Sequence, residues 1–506
     1  MPWNLRMLNP PTRKNSCCLL WLFAAGVALL PVSKVWSAEP NDSDQPPNVL
    51  FIAADDLRND LGCYGDRLAR TPHIDHLARQ GVVFERAYCQ QALCNPSRTS
   101  LLTGRRPDTL RIWDLPTHFR QLPPDAVTPE IVTLPEWFKR HGYFTQNVGK
   151  VFHNWRQEIH GDPQSWSVPA VLHFANHSSD TPQIGDRALP PNQATAPRCE
   201  RMDVPDAAYF DGRVADLAVA ALDECSRRDQ PFFLAVGFWK PHLPFNAPAQ
   251  YWDEYDAENV ELPPNPAPPD DVPAVALHHY TVGDETELSD ADVRQLRHGY
   301  LAATSYMDAQ IGKLLDCLEQ LALGDRTIVV FWSDHGFHLG EHGLWGKTSN
   351  FELDARVPMI IKLPGGANAG GRCDGLVELL DLYPTIVELA GLPQPAGLEG
   401  TSLRPLLDDP SQSVKPAAYT QHPRPAYYDD RPEVMGVSVR TDGVRYTEWR
   451  DFSSGEVRAR ELYDHRRDPG ETRNVVDAPP DTAALAEAKM LLDTTFPPGG
   501  YVATPD

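Results

Sequence analysis

Residues 48–56 read NVLFIAADD, an apolar run that stops on two aspartates. An apolar stretch of this length without polar alternation fits a strand covered on both faces, as in a parallel sheet. Residues 326–333, RTIVVFWS, have the same form and end at Asp334 and His335. Further strands are expected at 231–238 (PFFLAVGF) and 357–363 (VPMIIKL), with helical patterns at 73–80, 134–141, 207–227 and 293–323. Strands alternating with helices predict an α/β fold with a large, central, mostly parallel sheet flanked by helices. Ligands gather at the carboxyl ends of the strands in such sheets. Asp55, Asp56, Asp334 and His335 should therefore meet at one sheet edge.

An Asp-Asp pair after a strand is by itself commonly a helix cap or a solvated turn. Its pairing with a second strand that ends on Asp-His makes a cation site the better reading. Carboxylate oxygens suit a hard cation such as Ca²⁺. The imidazole of His335 suits calcium less well and leaves Mn²⁺ open.

With 506 residues, the chain is long enough for a large core and a second, smaller unit. After LEGTSLRPLL at 398–407, short strand-like pieces at 436–440 and 443–449 and a closing helix at 481–493 predict a smaller C-terminal α+β subdomain from about residue 411. The catalytic domain is expected over 48–410, after a flexible lead-in at 39–47. Pro-rich stretches at 187–206 and 261–276 read as loops, at a cleft border or as surface decoration.

Residues 1–38 have the form of a signal peptide: Arg6, Arg13 and Lys14, an apolar run from Cys17 to Leu30, then Ser37 and Ala38. The run falls short of the ~20 residues that span a bilayer, so removal is expected and no stable membrane insertion afterwards. The protein should then be exported, to a periplasm, the medium or, in a eukaryote, a lysosome-like compartment. Removing the leader leaves 42 basic against 69 acidic residues, a net charge of −27. Such a surface excludes nucleic acid as a natural partner. An anionic substrate requires a locally positive cleft. Seven of the nine cysteines lie beyond the leader. No C-x-x-C spacing suggests zinc or redox chemistry, and apart from Cys94 the six could pair or stay free.

The sharpest local signal is Cys94-Asn95-Pro96-Ser97-Arg98, continuing TSLLTG over 99–104. This C-x-P-S-R…TSLLTG pattern resembles the signature of the formylglycine-dependent sulfatases of the alkaline phosphatase superfamily, and the resemblance extends from residue 48 to about 477. It implies that Cys94 is oxidised to formylglycine by a formylglycine-generating or other sulfatase-maturing enzyme. A hydrated aldehyde carries two hydroxyls on one carbon. One attacks sulfur and expels the alcohol, and loss of the second proton then ejects sulfate and restores the aldehyde. The resemblance also adds an oxygen of the modified Cys94 to the cation ligands Asp55, Asp56, Asp334 and His335.

Other segments carry the likeness further. GKVFH at 149–153 is similar to a sulfatase element in which Lys150 contacts sulfate and His153 assists the hydrate as a base. WKPHLPF at 239–245 resembles an element of the iduronate-2-sulfatases and offers His242 as the general acid, with Lys240 expected to face solvent or an acidic neighbour. LGEHGLWGKTSNF at 339–351 supplies Lys347 to sulfate, and Asp-His-Gly at 334–336 is again of the iduronate type. His338 and Glu341 read as loop structure, and the acidic cluster at 461–471 as a surface turn.

Arg98, Lys150, Lys347 and a divalent cation bring about five positive charges against Asp55, Asp56 and Asp334, which meets the requirement for a positive cleft. The resemblance implies hydrolysis of sulfate monoesters, on a 2-O-sulfated uronic acid in a sulfated glycan. Two rivals remain: a phosphonate monoester or phosphodiester hydrolase of the same superfamily, and a non-catalytic glycan-binding protein.

Overall fold

The computed structural model describes residues 45–122, 130–153, 161–173, 183–184, 187–188, 199–277 and 288–501. The expected signal peptide, most of the lead-in and most of the first Pro-rich stretch lie outside them. Seven strands form the central sheet: Asn48–Asp55 (β1), Val82–Tyr88 (β2), Phe144–Gly149 (β3), Phe232–Pro241 (β4), Thr327–Ser333 (β5), Arg356–Lys362 (β6) and Gly371–Glu378 (β7). Their order is β7-β2-β6-β5-β1-β4-β3. Every pairing is parallel except the two made by β6. The 357–363 run is thus a strand, but it runs against its neighbours.

Burial explains the apolar runs of β1, β4, β5 and β6. Val49, Phe51 and Ala53 of β1 pack on one face with Leu101 and Leu102 of Cys94–Thr103 (α2), Phe138 of Leu134–Arg140 (α3) and Ile386 of Leu382–Leu389 (α6). Leu50, Ile52 and Ala54 face the other way. They meet Leu77 of Pro72–Gln80 (α1), Val214 and Leu222 of Phe210–Ser226 (α4) and Met307 and Leu314 of Asp290–Gln320 (α5). Both faces are covered at the inner strand β1, which has no polar side, whereas the edge strand β7 exposes Arg372 and Asp374. Among the described residues no helix is long and apolar enough to cross a membrane.

A second sheet is antiparallel: Ala418–Arg424 (β8), Val434–Arg440 (β9), Val444–Asp451 (β10) and Val457–Asp464 (β11), in that order. The helix Thr482–Thr495 (α7) covers it through Ala488, Leu492 and the following Phe496. In the acidic segment at 461–471 the turn itself, with Arg466, Arg467, Pro469 and Gly470, is exposed as expected, but Glu461, Asp464 and Glu471 are buried. Glu471 accepts from Arg445 Nε at 2.7 Å, and Glu461 accepts from Trp449 Nε1 at 2.6 Å. Side chains from β10 and β11 close over Glu461 and Glu471, a tertiary arrangement with no local sequence signal.

Candidate active site

The parallel strands deliver their carboxyl ends to one edge, and the candidate residues follow directly. Ala54 of β1 sits opposite Ser333 of β5, so Asp55 and Asp334 leave the sheet at the same height. Asp55 also lies opposite Pro241 of β4, which brings in His242. On the far side, Gly149 ends β3 beside Gly237 of β4. A β-carbon at Gly149 would lie 2.1 Å from the Gly237 carbonyl oxygen, and one at Gly237 would lie 1.9 Å from that of Lys150. Only a glycine pair lets the chain cross there and turn Lys150 and His153 toward the edge. The loop after β2 supplies Cys94, the first residue of α2.

Cys94 is buried, with its Sγ 3.3 Å from His335 Nε2, 3.4 Å from Asp55 Oδ1, 3.7 Å from Lys347 Nζ and 3.8 Å from Lys150 Nζ. Burial pushes its thiol pKa up, which makes the unmodified side chain a weak nucleophile. Lys150 forms an ion pair with Asp55, and Lys347 Nζ lies 2.6 Å from Asp56 Oδ1. Burial raises the Asp55 carboxyl, but Lys150 and Arg98 outweigh it and hold the group well below the usual range. Burial dominates at Asp56, whose carboxyl is raised.

Arg98 is 0 % exposed and holds the strand ends together from below. Its Nε donates to Asp334 Oδ2 at 2.8 Å, Nη1 to the carbonyls of Lys150 and Val151, and Nη2 to that of Ala54. Asp334 Oδ1 accepts the backbone N–H groups of Asp56 and His335. The β1 turn is pinned by Tyr300 of α5, which donates to the Asp56 carbonyl at 2.7 Å and accepts from the Arg58 amide at 3.0 Å.

The donor set fits a cation. Asp55, Cys94, Asp334 and His335 offer ligand atoms within 4.8 Å of one another, and so do Asp55, Asp56, Cys94 and His242. His335 Nδ1 donates to the Gly336 carbonyl at 3.0 Å, which leaves the Nε2 lone pair for a ligand bond. Asp56 Oδ2 is buried and accepts no hydrogen bond, an orphan that an ion would satisfy. Three carboxylates face Arg98, Lys150 and Lys347, so a divalent ion would make the pocket electropositive, as an anionic ester requires.

Two histidines flank the site. His242 Nδ1 bonds the Leu243 carbonyl at 2.7 Å, and its Nε2 lies 3.8 Å from Asp56 Oδ2. Burial, and then the Lys150 ammonium, hold the His153 imidazole well below its ordinary pKa and therefore neutral.

Two expectations need correction. Lys240 does not face solvent: it is 0 % exposed and donates to the Pro244 carbonyl at 2.7 Å, because β4 runs on to Pro241 and folds the lysine beneath the following turn. His338 and Glu341 are more than loop filler. Glu341 pairs with Arg58 at 3.1 Å and Arg297 at 2.9 Å, and His338 Nδ1 lies 2.7 Å from Asp354 Oδ1. These contacts brace the loop that carries Lys347. Sequence reasoning missed Tyr300, Asp354 and also Asp211, which accepts the backbone N–H groups of Trp239 and Lys240. Each acts across the fold, so no local spacing marks it. Among the other cysteines, Cys63, Cys89, Cys225, Cys317 and Cys373 form no disulfide.

Comparison with known proteins gives the family. The family model described as Sulfatase matches residues 47–392, and that described as N-sulphoglucosamine sulphohydrolase, C-terminal, matches 340–495. Iduronate 2-sulfatase of Mus musculus is 36% identical over 87% of this chain and 92% of its own length. A solved 2-O GAG sulfatase superposes with a TM-score of 0.69 at 25% identity, covering 89% of this chain and 92% of that one. The phosphonate monoester hydrolase of Agrobacterium radiobacter shares the fold at a TM-score of 0.70 and 22% identity, covering 89% and 95% of the two chains. With a matching family model over most of its length and a relative of this identity, the chain belongs to the sulfatase family.

Proposed function

We propose that the protein removes sulfate from a 2-O-sulfated uronic acid within a sulfated polysaccharide or its fragments, using Cys94 oxidised to formylglycine and a divalent cation, Ca²⁺ or, given His335, Mn²⁺. The observation that carries this reading is the placement of Cys94 Sγ within 4 Å of Asp55, His335, Lys150 and Lys347 at the carboxyl edge of the sheet. The similarity to iduronate 2-sulfatase supports the choice of sugar.

Asp55, Asp56, Asp334 and His335 would hold the cation, with the modified Cys94 contributing an oxygen. The bound ion would polarise the sulfate oxygens and acidify the hydroxyl of the aldehyde hydrate. Lys150 and Lys347 neutralise the sulfate group and orient it toward residue 94. His153, neutral in its buried position, takes the proton whose loss releases sulfate. His242 delivers a proton from Nε2 to the leaving oxygen, with Nδ1 anchored on the Leu243 carbonyl. Arg98, counted from the sequence among the catalytic residues, is fully buried and is proposed to act through Asp334 and the strand ends. It fixes Asp334 and the β1 and β3 ends in register. The leader at 1–38 supports export to a periplasm, the medium or a lysosome-like compartment, with a sulfatase-maturing enzyme as the partner that oxidises Cys94.

Mass spectrometry of the peptide containing Cys94, from protein made in its own host, should show a loss of about 18 Da, thiol to aldehyde. An unmodified thiol in active protein would overturn the mechanism. Rate constants on matched aryl sulfate and aryl phosphodiester substrates separate the two hydrolase classes, and a preference for phosphorus would overturn the sulfate reading.

A further inference from the structure

Lys347 enters the site from a loop with an unusual backbone. The next residue, Thr348, has φ 89°, a conformation costly for a β-branched side chain. The peptide group that follows it is held at both ends. Its carbonyl, on Thr348, accepts from Arg424 Nη1 at 2.9 Å. Its N–H, on Ser349, donates to Asp354 Oδ2 at 3.0 Å, and the Ser349 hydroxyl donates to the same oxygen at 2.6 Å.

Arg424 is the last residue of β8, in the second sheet. Its other donors go to the carbonyls of Val275 at 2.9 Å, Ala276 at 2.8 Å and Pro423 at 3.0 Å, with His422 Nδ1 at 3.3 Å from Nη1. Its guanidinium lies 4.7 Å from the Trp449 ring centre. It is 8 % exposed, and it enters none of the ion pairs formed among the described residues. The Glu461 and Asp354 carboxylates act on this charge from beyond ion-pair distance and do not offset its burial, so an apolar side chain of similar volume would serve stability better. Retention of the charge points to a task in the adjoining site.

We propose that Arg424 is a positioning residue for Lys347: with Asp354 it clamps the 348–349 peptide plane, holds the strained Thr348 backbone, and thereby aims the Lys347 ammonium at the sulfate position. The second sheet thus completes a site whose other parts come from the first. This inference rests on the sulfate-binding role assigned to Lys347.

The test uses the matured enzyme, an aryl sulfate as substrate and inorganic sulfate as competitive inhibitor. R424Q should raise KM and the sulfate inhibition constant about tenfold, and R424K, which keeps the charge but not the fork, about threefold. In a K347A background, R424Q should add nothing to either constant. Additive losses in the double variant overturn the proposal, as does a fall in activity that tracks the unfolded fraction with both constants unchanged. If R424Q does not fold, R424K decides, and an unshifted sulfate constant in it overturns the proposal. A wild-type enzyme that inorganic sulfate does not inhibit would sink the sulfate pocket itself. An inhibited wild type with unshifted Arg424 variants would sink this inference alone.

Discussion

Two of the buried charge clusters among the described residues are built to opposite ends. At the edge of the central sheet, Asp55, Asp56 and Asp334 face Arg98, Lys150 and Lys347, yet Asp56 Oδ2 accepts no hydrogen bond. Beneath the second sheet, Glu352 and Glu471 face Arg440 and Arg445, and every carboxylate oxygen is used. Glu352 accepts from Tyr88 at 2.9 Å and from Arg445 at 2.5 Å. Glu471 accepts from Arg445 at 2.7 Å, from the Glu352 amide at 2.7 Å, and lies 2.9 Å from His465 Nε2. Glu352, His465 and Glu471 stand close enough together to hold an ion, but Arg445 already occupies that position as the counter-charge. Acidic residues close together therefore do not by themselves define a metal site; an unsatisfied oxygen among them is the observation that favours one.

The comparison breaks most visibly at Cys94. C94A should lower kcat for an aryl sulfate by at least about 10⁴-fold, because it removes the atom on which the proposed nucleophile is built. A thermal melt should move by only a few degrees, since the side chain is small and no ion pair depends on it. A large fall in Tm would make Cys94 a core residue, and the first cluster would then resemble the second. Chelation gives the next largest effect. EDTA should reduce activity at least about 10²-fold and lower Tm, with recovery on adding Ca²⁺ or Mn²⁺. D56N should lose that response, whereas E471Q should keep it. An E471Q protein blind to the ion would place the metal in the wrong cluster.

The second cluster answers in stability instead. R445M takes the main counter-charge from Glu471 and leaves Glu352 to Arg440 and His465, and a loss of about 3–5 kcal/mol in urea denaturation is expected. KM and the metal requirement should stay at wild-type values in whatever fraction remains folded. A selective rise in KM would show that this network shapes the substrate pocket.

The two regions also differ in how far they could be read in advance. The strand ends were legible because each is a local event: an apolar run, an abrupt stop, and acidic residues at the stop. Cys94, Lys150, His242 and Lys347 sit in short motifs, and the sheet brings all of them to one edge. The direction of β6 was not legible, since residues 357–363 form the same apolar run in either orientation. Lys240 was misplaced because three further residues of strand, 239–241, carry its side chain beneath a turn. Arg424, Asp354, Arg445 and Glu471 act between segments tens to hundreds of residues apart, so only the assembled fold shows which charges are paired.

Acid titration sharpens the contrast with the smallest effect. Burial opposes the charged form of Glu471, but Arg445 and His465 outweigh it and bring the carboxyl down to about 2. An unfolded glutamate titrates near ~4.3. The folded state therefore favours the ionised form, and the resulting stability is present above about pH 5 and lost as pH falls through about 2. Glu352 is also held low by its arginines, so the measured midpoint belongs to the pair. E471Q should be less stable than the parent at pH 7 by on the order of 1–3 kcal/mol, with the gap narrowing as urea melts are repeated toward pH 3. Asp56, raised by burial, runs the other way: D56N should remove a destabilising charge in metal-free protein at pH 7, and that advantage should shrink in acid as the parent's carboxyl protonates. Gaps of the same sign in both variants would mean that the two clusters are balanced alike, and that the unsatisfied oxygen of Asp56 does not mark a site built for an ion.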